Sequence, residues 1–234
     1  MTEYLSYGGG VGSTALLIRQ IKDIRAGDLE VIFVDHGGDY PETREYVKQI
    51  QQDLDINITV RKPKETLYDY FFRKHIIPYR IRRDCTDKFK IQPMREYVDR
   101  KDEPQLGITT DERWRVRRWS AEGISSHYPL VERGIGRISA IDDLKCHKLK
   151  IPCKSGCFFC PFQPPKQYRR LWYTHPDLFM KALNLENNAR EIHPDAILMR
   201  NGRTLQSLYD ELKEQKFLDD FSLENERDGV CFRE

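Results

Sequence analysis

The chain has 234 residues with 39% hydrophobic, 32% charged and 11% aromatic residues. That is enough apolar and aromatic content for a core of one α/β domain with a small appendage, and it excludes a disordered chain. The formal net charge of +2 excludes a globally basic, polyanion-coating protein.

The first predicted element is a strand, Tyr4-Leu5-Ser6-Tyr7, running into Gly8-Gly9-Gly10-Val11-Gly12-Ser13-Thr14 and a helix over Ala15 to Ile24. Glycines let a ligand approach the backbone, and a helix N-terminus offers unpaired N–H groups and the positive end of a dipole. The stretch reads as a phosphate cradle. It is not a Walker A loop, which needs Gly-Lys-Ser/Thr, nor a G-x-G-x-x-G dinucleotide turn. Leu29 to Asp35 is a second, β-branched strand, and Pro41-Glu42-Thr43 opens a helix over Arg44 to Leu54. Ile56 to Val60 is a third strand. Alternating strands and helices predict a Rossmann-like parallel sheet with helices on both faces, and ligands beyond the carboxyl ends of its strands. Ser6 to Ser13 and Asp35 to Thr43 then line one cleft.

Leu67 to Ile77 reads as an aromatic-rich helix. A basic segment follows, with Arg73, Lys74, Arg80, Arg82, Arg83, Lys88 and Lys90 against Asp84 and Asp87. A helix is predicted over Met94 to Arg100, a strand end at Leu106 to Glu112, and a second basic patch at Arg113, Arg115, Arg117 and Arg118. Either patch faces phosphate or is a solvated face. His127 to Glu132 reads as extended, and Ser139 as the cap of a short helix. The tail from Lys166 to Leu218 is helical by pattern, its apolar stripes being core. The division is a nucleotide-binding α/β domain over 1–145 and a cysteine-containing, mostly helical region over 146–234.

No apolar run approaches the roughly 18 residues of a membrane span, and no signal peptide is recognisable, so a cytoplasmic protein is expected. Six cysteines in a reducing compartment are ligands or reactive thiols rather than disulfides. Cys153, Cys157 and Cys160 are spaced C-x3-C-x2-C, so three thiolates can converge on one centre. An iron–sulfur cluster is the reading preferred to zinc, which would need a fourth ligand from Cys85, Cys146, His147 or Cys231. The same string matches the radical-SAM pattern. Its late position, followed only by a helical stretch, excludes that reading.

The ordered set Ser6–Ser13, Asp35–Thr43 and Cys85-Thr86-Asp87-Lys88-Phe89-Lys90-Ile91-Gln92-Pro93-Met94 resembles the phosphoadenosine-phosphosulfate reductase family of the PP-loop superfamily. The resemblance covers residue 4 to about residue 100, with weaker echoes in Gly107 to Arg115 and Cys157 to Phe162. It implies an adenine nucleotide, ATP or another, with Mg as accompanying ion. Ser6, Gly8, Gly9, Gly10 and Ser13 would hold it on the α-phosphate side, with Asp35 beside it and Lys90 on phosphate. It also implies a [4Fe-4S] cluster, or zinc in its place, on Cys85, Cys153, Cys157 and Cys160, with Cys231 competing for one place. Gly8 and Gly12 stand where the superfamily's ATP-splitting members have Ser and Asp. The implied activity is adenylyl transfer in sulfur transfer or nucleic-acid modification, with a nucleic acid or a sulfur-donor protein as partner. The alternatives are a thiol-dependent sulfonucleotide reductase using Cys231, and a non-catalytic nucleotide-binding module with structural zinc.

Overall fold

The computed structural model describes residues 3–81, 84–97, 104–116, 126–152 and 155–215. The chain divides into two compact units, Met1–Leu67 with Asp84–Cys157, and Tyr68–Arg83 with Phe158–Glu234.

The first unit is a four-stranded parallel sheet, ordered β3-β2-β1-β4. Its strands are β1 (Glu3–Tyr7), β2 (Leu29–Val34), β3 (Ile58–Arg61) and β4 (Pro104–Leu106). Tyr7 pairs with Phe33, Val34 with Arg61, and Ser6 with Leu106, so the loops after β1, β2 and β4 share one edge of the sheet. Side chains alternate as a strand requires. Leu5, Tyr7, Val31 and Phe33 enter a core with α1 (Val11–Arg19) and α3 (Pro41–Asp53). Tyr4, Ile32 and Val34 point the other way, onto Met94.

The first helix starts earlier than its sequence suggests, at Val11, because Gly10 serves as N-cap. It also breaks at Gln20 before α2 (Ile21–Ala26), which Gly27 ends in the left-handed conformation at φ 84°. Thr14 is fully buried; its hydroxyl donates to the Gly10 carbonyl at 2.9 Å and lies 3.1 Å from the Tyr7 hydroxyl. Tyr7→Phe removes that second bond alone and is expected to cost about 1 kcal/mol in urea unfolding.

α4 is Leu67–Arg73. Lys90 sits in a helical segment formed by α5 (Asp84–Thr86), a π-helical turn Asp87–Ile91 and α6 (Gln92–Arg95). Of the expected Met94 to Arg100 helix, residues 98–100 lie outside the described residues. His127 to Glu132 is extended only at its start, where His127 bridges Gln105; Pro129 then opens α7 (Pro129–Glu132) as a first helical residue. α8 (Arg137–Cys146) begins two residues before Ser139. The Arg137 N–H donates to the Asp111 carboxylate, so the cap comes from a distant acid rather than from the local serine.

The second unit is helical. α9 (Pro165–Thr174) and α10 (Pro176–Arg190) are followed by helical residues 205–215. Phe179 stacks with Tyr209 and meets Trp172 edge-on. The predicted continuous tail is interrupted at 191–204, and that segment is held by Glu186. This fully buried carboxylate accepts from the Leu198 N–H at 2.8 Å and the Leu205 N–H at 2.5 Å. Cys160 is the one cysteine described in this unit; Cys157 belongs to the first.

Candidate functional site

The strand order places a switch point between β1 and β4, from which the chain winds outward on both sides. Parallel sheets bind ligands beyond the strand ends at such a point. The loop there is Gly8-Gly9-Gly10. Gly9 has φ 64°, a conformation glycine adopts without strain, and a Cβ on it would lie 3.0 Å from the Thr43 methyl. The loop after β1 therefore lies against the first turn of α3, which follows the loop after β2. The Ser13 hydroxyl ties the turn: it accepts from the Gly8 and Gly10 N–H groups at 3.3 and 3.2 Å and donates to the Gly10 carbonyl. The N–H groups of Val11, Gly12 and Ser13 form the first helical turn, which offers them no acceptor inside the helix. This is an anion-binding arrangement. Ser6, at mid-β1, pairs with Ile32 and Leu106 just beneath it.

Gly12 and Gly107 meet back to back. A Cβ on Gly12 would lie 2.2 Å from the Gly107 carbonyl oxygen, and one on Gly107 would lie 2.4 Å from the Ser13 Cα. The glycine at position 12 is thus required by the backbone of the β4 loop.

Beyond β2 stands a second group. Asp35 accepts from the Gly37 N–H at 3.2 Å and pairs with Arg44 at 3.0 Å. His36 is 1% exposed and Asp39 9%. Burial, with Lys90 and Arg44 adding to it, lowers the His36 pKa to about 3, so its ring is neutral. The Gly38 N–H donates to His36 Nδ1 at 3.1 Å, which assigns the ring proton to Nε2. Nε2 lies 3.4 Å from Asp39 Oδ2 and 3.9 Å from Cys157 Sγ. Burial raises the Asp39 pKa to about 6, Asp35 adds to the rise, and Lys90 and Arg44 oppose it. An antiparallel backbone bridge joins Asp39 to Cys157.

Of the residues expected from sequence, Asp35, Lys90 and Cys157 come together here, next to the glycine loop. Lys90 acts on both His36 and Asp39 from the π-helical turn, and Cys85 stands in the short helix just before that turn. Cys153 and Cys231 lie outside the described residues, and Cys160 lies in the second unit. Sequence reasoning gave no role to His36, Asp39 or Arg44. The readable signal was a histidine and a second acid in a glycine-rich strand-end loop. Cys157 is 121 residues from His36, and nothing local announces that pairing.

The donors around the Cys157 sulfur are an imidazole and a carboxylate. Iron–sulfur clusters are held by thiolates, whereas a mixed nitrogen, oxygen and sulfur set suits a single ion. Among the described residues of the first unit, the His36, Asp39 and Cys157 group suits a single ion, and Cys153 of the C-x3-C-x2-C string lies outside the described residues.

Fold and loop geometry define a nucleotide-binding α/β domain of the doubly wound class. Residues 3–109 match the model of the phosphoadenosine phosphosulfate reductase domain, and the chain carries that domain, of the adenine nucleotide α-hydrolase-like type. Two uncharacterized proteins of Methanocaldococcus jannaschii are similar to it. One is 28% identical over 199 residues, covering 77% of this chain and 46% of its own length. The other is 22% identical over 222 residues, covering 81% and 42%. The chain spans less than half the length of these curated relatives. No helix among the described residues is long and apolar enough to cross a membrane.

Proposed function

We propose that the chain is an adenine-nucleotide-dependent enzyme that works by adenylyl transfer, in sulfur transfer or nucleic-acid modification. The observation that supports this most is the Gly8–Ser13 turn at the N-terminus of α1, on the switch point of the sheet. In the reaction an acceptor oxygen attacks the α-phosphorus of ATP, the α–β anhydride breaks, and pyrophosphate leaves. The first-turn N–H groups of α1 hold the α-phosphate and meet the negative charge that grows on it. Lys90 supplies a cation from the π-helical turn, a deformation often found at functional sites. The Arg44–Asp35 pair orients the loop between it and the glycine turn. A nucleic-acid acceptor is supported by Trp114, 59% exposed between Arg113 and Arg115, since exposed aromatic and cationic side chains stack on bases.

Lys90→Ala is expected to lower pyrophosphate release from ATP about 100-fold, the size of effect seen when one group stabilising transition-state charge is lost. Turnover by the variant at the wild-type rate would remove Lys90 from the chemistry.

A further inference from the structure

We infer that His36, Asp39 and Cys157 form a binding site for one divalent ion of the zinc class, separate from the glycine turn. Their ligand atoms all lie within 4.8 Å of one another. Tetrahedral bonds of 2.0 to 2.3 Å set ligand atoms about 3.3 to 3.7 Å apart. The 3.4 Å separation of His36 Nε2 from Asp39 Oδ2 is already in that range, and the 3.9 Å to Cys157 Sγ needs a small contraction.

Three features make this a built site rather than a chance meeting. Two ligands come from one tight turn, and the Asp39–Cys157 backbone bridge fixes the third against it. His36 and Asp39 are buried, so the carboxylate has little water to solvate it. The combination of thiolate, imidazole and carboxylate is one that zinc accepts and that hard ions such as magnesium avoid. Three protein ligands leave a fourth position for water or a substrate atom, the pattern of catalytic zinc sites.

The histidine must change tautomer to bind. With Nδ1 accepting from the Gly38 N–H, the Nε2 proton points toward Asp39 and Cys157. An ion on Nε2 moves that proton to Nδ1, which then needs an acceptor. Turning over the Gly37–Gly38 peptide replaces the N–H with the Gly37 carbonyl, the partner that metal-bound histidines commonly use. Both flanking residues are glycines, and Gly37 already sits at φ 78°, so the backbone there can make the turn. Binding forms one metal–nitrogen, one metal–oxygen and one metal–sulfur bond, and the Cys157 thiol proton leaves to solvent.

The test uses the full chain, stripped with chelator, reduced and kept free of oxygen, then titrated with zinc and separately with cobalt(II). One ion per chain is expected, with a near-ultraviolet thiolate-to-cobalt band. Cys157→Ser should abolish the band. His36→Gln and Asp39→Asn should each weaken zinc by more than the roughly 100-fold that loss of an outer-shell partner costs. Cys146→Ser, at an exposed cysteine outside the group, should change nothing. Circular dichroism of each variant shows that the fold is retained, and the cobalt band of Cys157→Ser decides the case if a buried-site variant does not fold. Zinc binding indifferent to both His36→Gln and Asp39→Asn overturns the inference. So does anaerobically purified protein that holds four irons and four sulfides lost together in Cys157→Ser.

Discussion

Gly12→Ala is expected to destabilise the protein by about 2 kcal/mol or more, although alanine is the better helix former. Propensity alone favours alanine by about 1 kcal/mol inside a helix. Against this, the new Cβ would lie 2.2 Å from the Gly107 carbonyl oxygen, a backbone atom one residue beyond β4 rather than the end of a flexible side chain. Overpacking of that kind costs about 1 to 3 kcal/mol and sometimes more. The two effects have opposite signs, so the direction of the shift in the urea midpoint decides between them. Gly12→Asp, which would restore the acid of the ATP-splitting relatives, should be worse, because it adds a carboxylate to the same contact. A variant as stable as wild type would mean that α1 and the β4 loop do not approach as described.

Glu186→Ala is expected to cost about 4 kcal/mol, a large share of a typical domain's stability of about 5 to 15 kcal/mol. It leaves the buried N–H groups of Leu198 and Leu205 without their acceptor, at about 1 to 3 kcal/mol each. Unfolding followed at the second unit's Trp172 reports it directly. The same residue gives a pH signature. Burial raises its pKa above the ordinary 4.5, while the two N–H bonds and Arg190 pull the other way. The folded chain therefore keeps a proton that the unfolded chain has released. Its stabilising share is complete below pH 4.5 and is lost as pH rises through the folded value. Glu186→Gln should flatten that slope, and an unchanged slope would show that Glu186 does not titrate differently in the fold.

Much of the first unit was legible because its signals are local. Leu29 to Val34 is a run of apolar and β-branched residues, and Pro41 opens α3 as a proline at a first helical position does. The three glycines before α1 announced a turn open to an anion. What stayed hidden depends on residues far apart in sequence. Asp111 caps α8 from another segment, so Ser139 looked like the cap and was not. The glycine at position 12 looked like a lost acid, but its reason is Gly107. The cysteine spacing pointed to thiolates gathered on one centre; it carried no sign that Cys157 also faces an imidazole and a carboxylate of the loop after β2. Spacing counts residues along the chain, and a ligand set is a fact of three dimensions.

Calorimetric titration of the reduced protein with ATP, with GTP as the control, reads whether the Gly8–Ser13 turn holds an adenine nucleotide. One adenine nucleotide bound per chain, with GTP silent and the affinity lowered at least about 10-fold in Ser13→Ala as the tied Gly8–Gly10 turn loosens, is the result predicted. No heat with ATP, AMP or adenylyl sulfate, from protein shown to be folded, would remove the adenine nucleotide from this site.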